Sequence, residues 1–154
     1  MALKGNFSEA EEYLSNGFNI LEGNGKLFTQ IEGGYILWNN GKRDEALDRF
    51  KQKIIYCEES IESNTLYGMK RAAYDLAGIH AFLGNREEAY KWLRYYESSG
   101  FRGGLEYYMP HDPLFKNLRD EKEFKEIVSN AHAINEVTKS RIRELEKEGE
   151  LLLK

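Results

Sequence analysis

Gly5-Asn6-Phe7-Ser8-Glu9-Ala10, Gly41-Lys42-Arg43-Asp44-Glu45-Ala46 and Gly84-Asn85-Arg86-Glu87-Glu88-Ala89 are three copies of one pattern: glycine, three residues, glutamate, alanine. A glycine suits the residue that stops one helix, acidic residues suit the first turn of the next, and an alanine lets two helix axes approach closely. Recurring at spacings of 36 and 43 residues, the pattern predicts helix-turn-helix units arrayed along the chain.

Outward from these junctions, the remaining residues agree. With 154 residues, 41% hydrophobic and 31% charged, the chain is long enough for one domain with a real core. Two prolines and a formal charge of −4 fit a soluble helical protein. An isoelectric point near 5.5, with no stripe of Lys and Arg, argues against a nucleic-acid partner, whose backbone selects clustered cations. Cys57 is the lone cysteine; it reads as a small packed residue in a reducing compartment. No apolar run at the start resembles a signal peptide or a membrane span, so the expected location is cytoplasmic and no membrane partner is expected.

Helical spacing places the elements. The first helix begins after Ser8 and carries Ala10, Tyr13, Leu14 and Phe18. A second runs from about Lys26 to Asn40, with Leu27, Ile31, Gly34, Leu37 and Trp38. The third starts at Asp44, and its stripe is Ala46, Leu47, Phe50, Ile54, Tyr56 or Cys57, and Ile61. Asn64-Thr65 breaks it. A fourth, about Leu66 to Leu83, presents Met69, Ala73, Leu76, Ala77, His80 and Leu83. The fifth, about Glu87 to Glu97, turns Ala89, Trp92, Leu93 and Tyr96 inward. Phe101 to His111 reads as an ordered loop. Asp112-Pro113 is a strong start for a short helix through about Leu118, and from Asp120 a last helix carries Phe124, Ile127, Val128, Ala131, Ile134 and Val137 on one face. The charged stretch beyond Thr138 is expected to project or fray.

These residues resemble tetratricopeptide repeats. Seven residues before each turn glycine sits a small residue, Gly34 and Ala77, and the downstream positions Ala46 with Phe50 and Ala89 with Leu93 fit the interhelical pattern. Gln30 and Ala73 replace the usual bulky aromatic, the usual proline at the repeat end is absent, and the spacings exceed the family's roughly 34 residues. The tail, with Phe101-Arg102, Leu105, Tyr108, Asp112-Pro113-Leu114-Phe115, Leu118-Arg119-Asp120 and Phe124, resembles the closing segment of such arrays at the ends of bacterial regulatory proteins. The resemblance implies an all-α, right-handed stack of antiparallel helix pairs in one domain: a half repeat at 1–22, repeats at 26–62 and 66–100, and a loop, short helix and long capping helix at 101–154. It also implies a C-terminal fragment of a longer array. A first helix without its pair leaves Tyr13, Leu14, Phe18 and Ile20 to cover, so two copies are expected to associate as a homodimer.

Such arrays bind proteins or peptides along a concave face lined by the first helix of each pair. Here that face would show Phe28, Ile31, Tyr35 and Trp38, then Arg71, Tyr74, Gly78 and Phe82; Phe28, Ile31 and Phe82 also read as residues buried between repeats, whereas Tyr35, Trp38 and Tyr74 lean toward exposure. Aromatic and Arg anchors carry binding energy at interfaces, so the expected function is protein-protein interaction with an apolar or aromatic segment. A structural dimerisation module is the second reading. An enzyme using His111 and Asp112 is the third, weakened because Asp112 already reads as a helix cap. His80, His111 and His132 lie more than 20 residues apart, with no metal-ligand spacing and no phosphate loop, so neither metal nor cofactor is implied. Glu58-Glu59, Glu87-Glu88, Glu121 and Glu123 read as solvated faces or helix starts.

Overall fold

A computed structural model of the chain describes residues 5–20, 30–65, 68–99 and 105–149. Leu27, Phe28, Phe101, Arg102 and the end Leu151 to Leu153 lie outside the described residues, as do the side chains of Phe18, Ile20, Met69 and Leu105. All regular structure among the described residues is helical. Helix α1 spans Phe7–Ile20, α2 Gln30–Asn39 and α3 Arg43–Glu62. A π-helical turn, Gly68–Ala72, leads into α4, Ala73–Phe82. Then come α5, Arg86–Ser98, the single turn α6, Leu105–Tyr108, a 3-10 turn Pro113–Phe115 and α7, Lys122–Lys147.

The repeated pattern works by making one residue serve two helices. Gly41 and Gly84 have φ of +82° and +83°, a left-handed conformation that glycine adopts without steric cost. At the first junction the Gly41 N–H donates to the Trp38 carbonyl at 3.1 Å and the Lys42 N–H to Leu37 at 2.9 Å; at the second, Gly84 donates to Ala81 at 3.2 Å and Asn85 to His80 at 2.8 Å. This double closure satisfies the last carbonyls of α2 and α4. The carbonyls of Lys42 and Asn85 then accept the first helical hydrogen bonds of α3 and α5, from Ala46 and Ala89, both at 3.0 Å. Asn6 does the same for Ala10 at 3.2 Å. The glycine and the alanine are therefore locked five residues apart, and Ala46 and Ala89 are fully buried where the paired helices meet. Helix α1 consequently starts at Phe7, with Ser8 inside it rather than capping it.

Helix α2 packs on α3 and α4 on α5. Gly34 is required in the first pair, because a Cβ there would lie 2.5 Å from Phe50 Cε1. In the second pair the equivalent positions are Ala77 and Leu93, both fully buried. Helix α3 has 20 residues against 14 in α1, so the longer helix accounts for most of the longer second spacing. Its buried seam is Ala46, Phe50, Lys53, Cys57 and Ser60; Leu47, expected in the stripe, is exposed because it lies one residue, about 100°, off that seam. After Asn64, at φ +50°, the chain turns tightly enough that a Cβ on Gly68 would lie 2.0 Å from the Ser60 carbonyl oxygen. The start of the fourth helix is thus pressed onto the backbone of α3.

One core cluster closes the C-terminal end. Ala73, Ala77, Ala89, Tyr90, Leu93 and Tyr96 meet Met109, Phe115, Leu118, Phe124, Ile127 and Ala131. Phe101 to His111, expected as loop, contains α6, and Asp112-Pro113 opens a single 3-10 turn rather than a helix to Leu118. The Asp112 carboxylate accepts from the Leu114 N–H at 2.9 Å, the capping job its sequence position suggests. Helix α7 continues unbroken to Lys147, so the charged stretch beyond Thr138 projects as helix. Ile134 and Val137 share the apolar side of the helix yet are exposed, while α6 packs on α7 with Tyr107 beside Lys139.

Candidate partner-binding surface

The aromatic residues expected to line a groove are packed largely on one another. Tyr35 is half-buried between Phe7 and Phe82, with ring centroids 5.8 and 5.6 Å away. Trp38, also half-buried, meets Phe82 edge-on at 5.4 Å, and the Arg43 guanidinium lies over its ring at 4.5 Å. Phe50 touches Phe82 from below at 5.6 Å. Phe82 is therefore the hub of a ring cluster joining α1, α2, α3 and α4, and Ile31 packs half-buried on the same cluster. Phe28 lies outside the described residues. Arg71 is two-thirds exposed, its Nε 3.6 Å from Asp75 Oδ1.

Along α4 the remaining positions are covered by the chain itself. Tyr74 packs against Phe115 at 5.3 Å and Tyr96 at 5.7 Å, and its hydroxyl donates to Asp112 Oδ2 at 2.9 Å. Burial and the adjacent carboxylate hold the Tyr74 phenol far above the ordinary tyrosine range. Leu114 sits over Gly78, where an added Cβ would come within 3.0 Å of its Cδ1. Arg119 Nη2 donates to the Asp112 carbonyl at 2.8 Å, clamping the segment from its far side. Residues 112–115 thus cover Tyr74 and Gly78, positions that the resemblance assigns to a ligand-binding face, and the leaning of the sequence toward an exposed Tyr74 is corrected by this contact. Sequence position could not show it, because Tyr74 and Asp112 are 38 residues apart.

The Asp112 carboxylate accepts from the Leu114 N–H with one oxygen and from the Tyr74 hydroxyl with the other, so it serves as a cap and as a link to α4. His111 beside it is exposed. His80 is half-buried, and desolvation lowers its pKa. Among the described residues no group of three or more His, Cys, Asp or Glu could hold a metal ion, and no helix is long and apolar enough to cross a membrane. Replacing Asp112 by Ala removes the cap and the Tyr74 acceptor together. The expected cost is about 1 to 2 kcal/mol, read by chemical denaturation; an unchanged midpoint would show that residues 112–115 are not held on α4 by these bonds.

Comparison with family models, with curated proteins and with solved structures finds no match to this chain.

Two features of the surface were not legible beforehand. Glu121, at the N-cap position of α7, and Glu123, in its first turn, stand at a helix start as expected, and they also clamp α5 to it. The Arg86 guanidinium meets Glu121 at 2.6 Å, the Tyr90 hydroxyl donates to the same carboxylate at 2.9 Å, and Arg94 Nε donates to Glu123 at 2.9 Å. Hydrogen bonding from Arg86 lowers the Glu121 pKa. The second feature is the far half of α7, which among the described residues is free of the body beyond Lys139, whose ammonium donates to the Tyr107 hydroxyl of α6 at 3.2 Å. The buried residues of α7 are Phe124, Ile127 and Ala131; beyond them the helix runs a further 16 residues to Lys147, about 24 Å at 1.5 Å per residue. Val137 is 69% exposed and Ile142 40%.

Proposed function

We propose that the chain is a protein-interaction module, a right-handed stack of antiparallel helix pairs of the tetratricopeptide kind closed by α7, and that it takes its partner on the free half of α7. The observation that carries this reading is the continuity of one seam. Phe124, Val128 and Ala131 lie on the side of α7 that meets the body, and steps of three and four residues extend that line through the polar Asn135 and Thr138 to Ile142 and Leu145. A helix whose packing face continues past the surface it packs against has the form used to engage a second helix or groove. The filled concave face along α4 supports the same choice, leaving only the Ile31, Tyr35, Trp38 and Arg71 edge of the expected groove to a second contact.

Site-specific photo-crosslinking in cells producing the full chain tests it. A photoreactive residue at Ile142 or Thr138 is expected to give a discrete protein adduct, while the same group at Glu58, on the exposed side of α3, gives none. Absence of adducts from both seam positions would remove α7 as the partner surface.

A further inference from the structure

We propose, resting on that reading, that the α7 seam takes the same seam of a second copy, laid antiparallel about a two-fold axis that passes between Arg143 and Glu144. The free half of the helix is polar in a particular order: Lys139, Arg141 and Arg143, then Glu144, Glu146 and Glu148, with Lys147 among the acids. Reversing the direction of this stretch brings Lys139, Arg141 and Arg143 onto the three acids and Lys147 onto Ser140. At 100° per residue, with Ile142 and Leu145 facing inward, Lys139 and Glu146 fall on one edge of the seam and Arg141 and Glu148 on the other.

In an antiparallel two-fold pair, like edges meet. Lys139 of one copy then faces Glu146 of the other, Arg141 faces Glu148, and each contact occurs twice. Ile142 packs against Leu145 in the two central layers. A parallel pairing matches only Arg141 with Glu146, twice, and sets the cationic blocks of the two copies side by side. Four matched contacts against two favour the antiparallel arrangement. Exposed ion pairs add little affinity, but at the edges of a helical seam they decide partner orientation and register.

Within one copy these groups make only short-range contacts along the helix or with α6. Arg141 Nη1 lies 3.2 Å from Glu144, and Lys139 donates to Glu136 at 2.8 Å and to the Tyr107 hydroxyl at 3.2 Å. Tyr107 leaves Lys139 less free to turn outward, so the Arg141 and Glu148 edge dominates the choice of orientation. With two apolar layers the interface falls in the weak, reversible class below about 1,200 Å², and the dimer forms and dissociates with concentration.

Light scattering coupled to gel filtration of the full chain at high micromolar concentration is expected to give the mass of two chains, falling to one on dilution. Ile142→Glu should give one chain at every concentration with an unaltered melt. Arg141→Glu should weaken association by at least about tenfold, because it sets two like-charge contacts in the seam; adding Glu148→Arg should restore it. Residues 141 and 148 are two turns apart on one helix, so that rescue arises between copies. Orientation is read separately: in a Cys57→Ser background, Ile142→Cys mixed with Leu145→Cys should form a disulfide dimer faster than either alone. A single-chain mass for the unsubstituted protein, or fastest cross-linking of Ile142→Cys to itself, overturns the proposal. Seam photo-adducts to a different protein combined with a single-chain mass would overturn the second copy while leaving the interaction reading intact.

Discussion

Asp75→Ala is expected to destabilise the protein by about 3 to 5 kcal/mol, the cost of leaving a buried charge without its counter-ion. Lys53, on α3, and Asp75, on α4, face each other at 3.2 Å with side chains 1% and 7% exposed, so they join one helix pair to the next through the interior. The Lys53 ammonium also lies 5.4 Å from the Tyr56 ring, an attraction too small to replace a carboxylate. Lys53→Met should cost less, because Asp75 retains the neighbouring Arg71. Lys53→Met combined with Asp75→Leu fills similar volume without charge and is expected to recover most of the loss. Urea denaturation of the unsubstituted protein, Lys53→Met, Asp75→Leu and their combination closes the cycle. A double variant as unstable as the sum of the single ones would show that the two residues contribute separately.

Gly34→Ala is expected to cost about 3 kcal/mol, at the upper end of the range for overpacking. The new methyl would lie 2.5 Å from the edge of Phe50, and that ring, itself fully buried, has Phe82 packed against its other side. The second helix pair already contains the alternative solution, Ala77 with Leu93. Gly34→Ala together with Phe50→Leu should therefore be more stable than Gly34→Ala alone, with the added methyl occupying space the ring vacates. Failure of the double substitution to improve on the single one would mean that the two helix pairs approach each other differently, and that the shared sequence pattern does not carry a shared geometry.

Alkaline or acidic titration of individual groups would say little about how the helices are joined, whereas these two cycles address the joints directly. One tests the contact within a pair, the other the contact between pairs. Their positions also differ in how visible they are from sequence. Gly34 and Phe50 stand out because both occupy fixed offsets from Gly41. Lys53 does not, since a lysine reads as a surface residue until its place on the seam with Phe50 and Cys57 is known.

What the amino-acid sequence determined by itself is local. Gly41 and Gly84 stop helices because their φ is positive, Lys42 and Asn85 end one helix and begin another, and Asp112 caps the turn at Pro113; each depends on atoms within about five residues. The helical class and the inward positions Ala46, Phe50, Ala89 and Leu93 follow from the same offsets. Tertiary structure alone decided where the C-terminal segment lies. Nothing near Tyr74 in the chain indicates that Asp112 and Leu114 will cover its helix, nor does anything near Glu121 indicate Arg86. It also decided which part of the α7 seam is buried: Phe124, Ile127 and Ala131 meet the body, whereas Ile142 on the same side stays 40% exposed. Periodicity records which side of a helix can pack; only the folded chain sets how far along that side there is something to pack against.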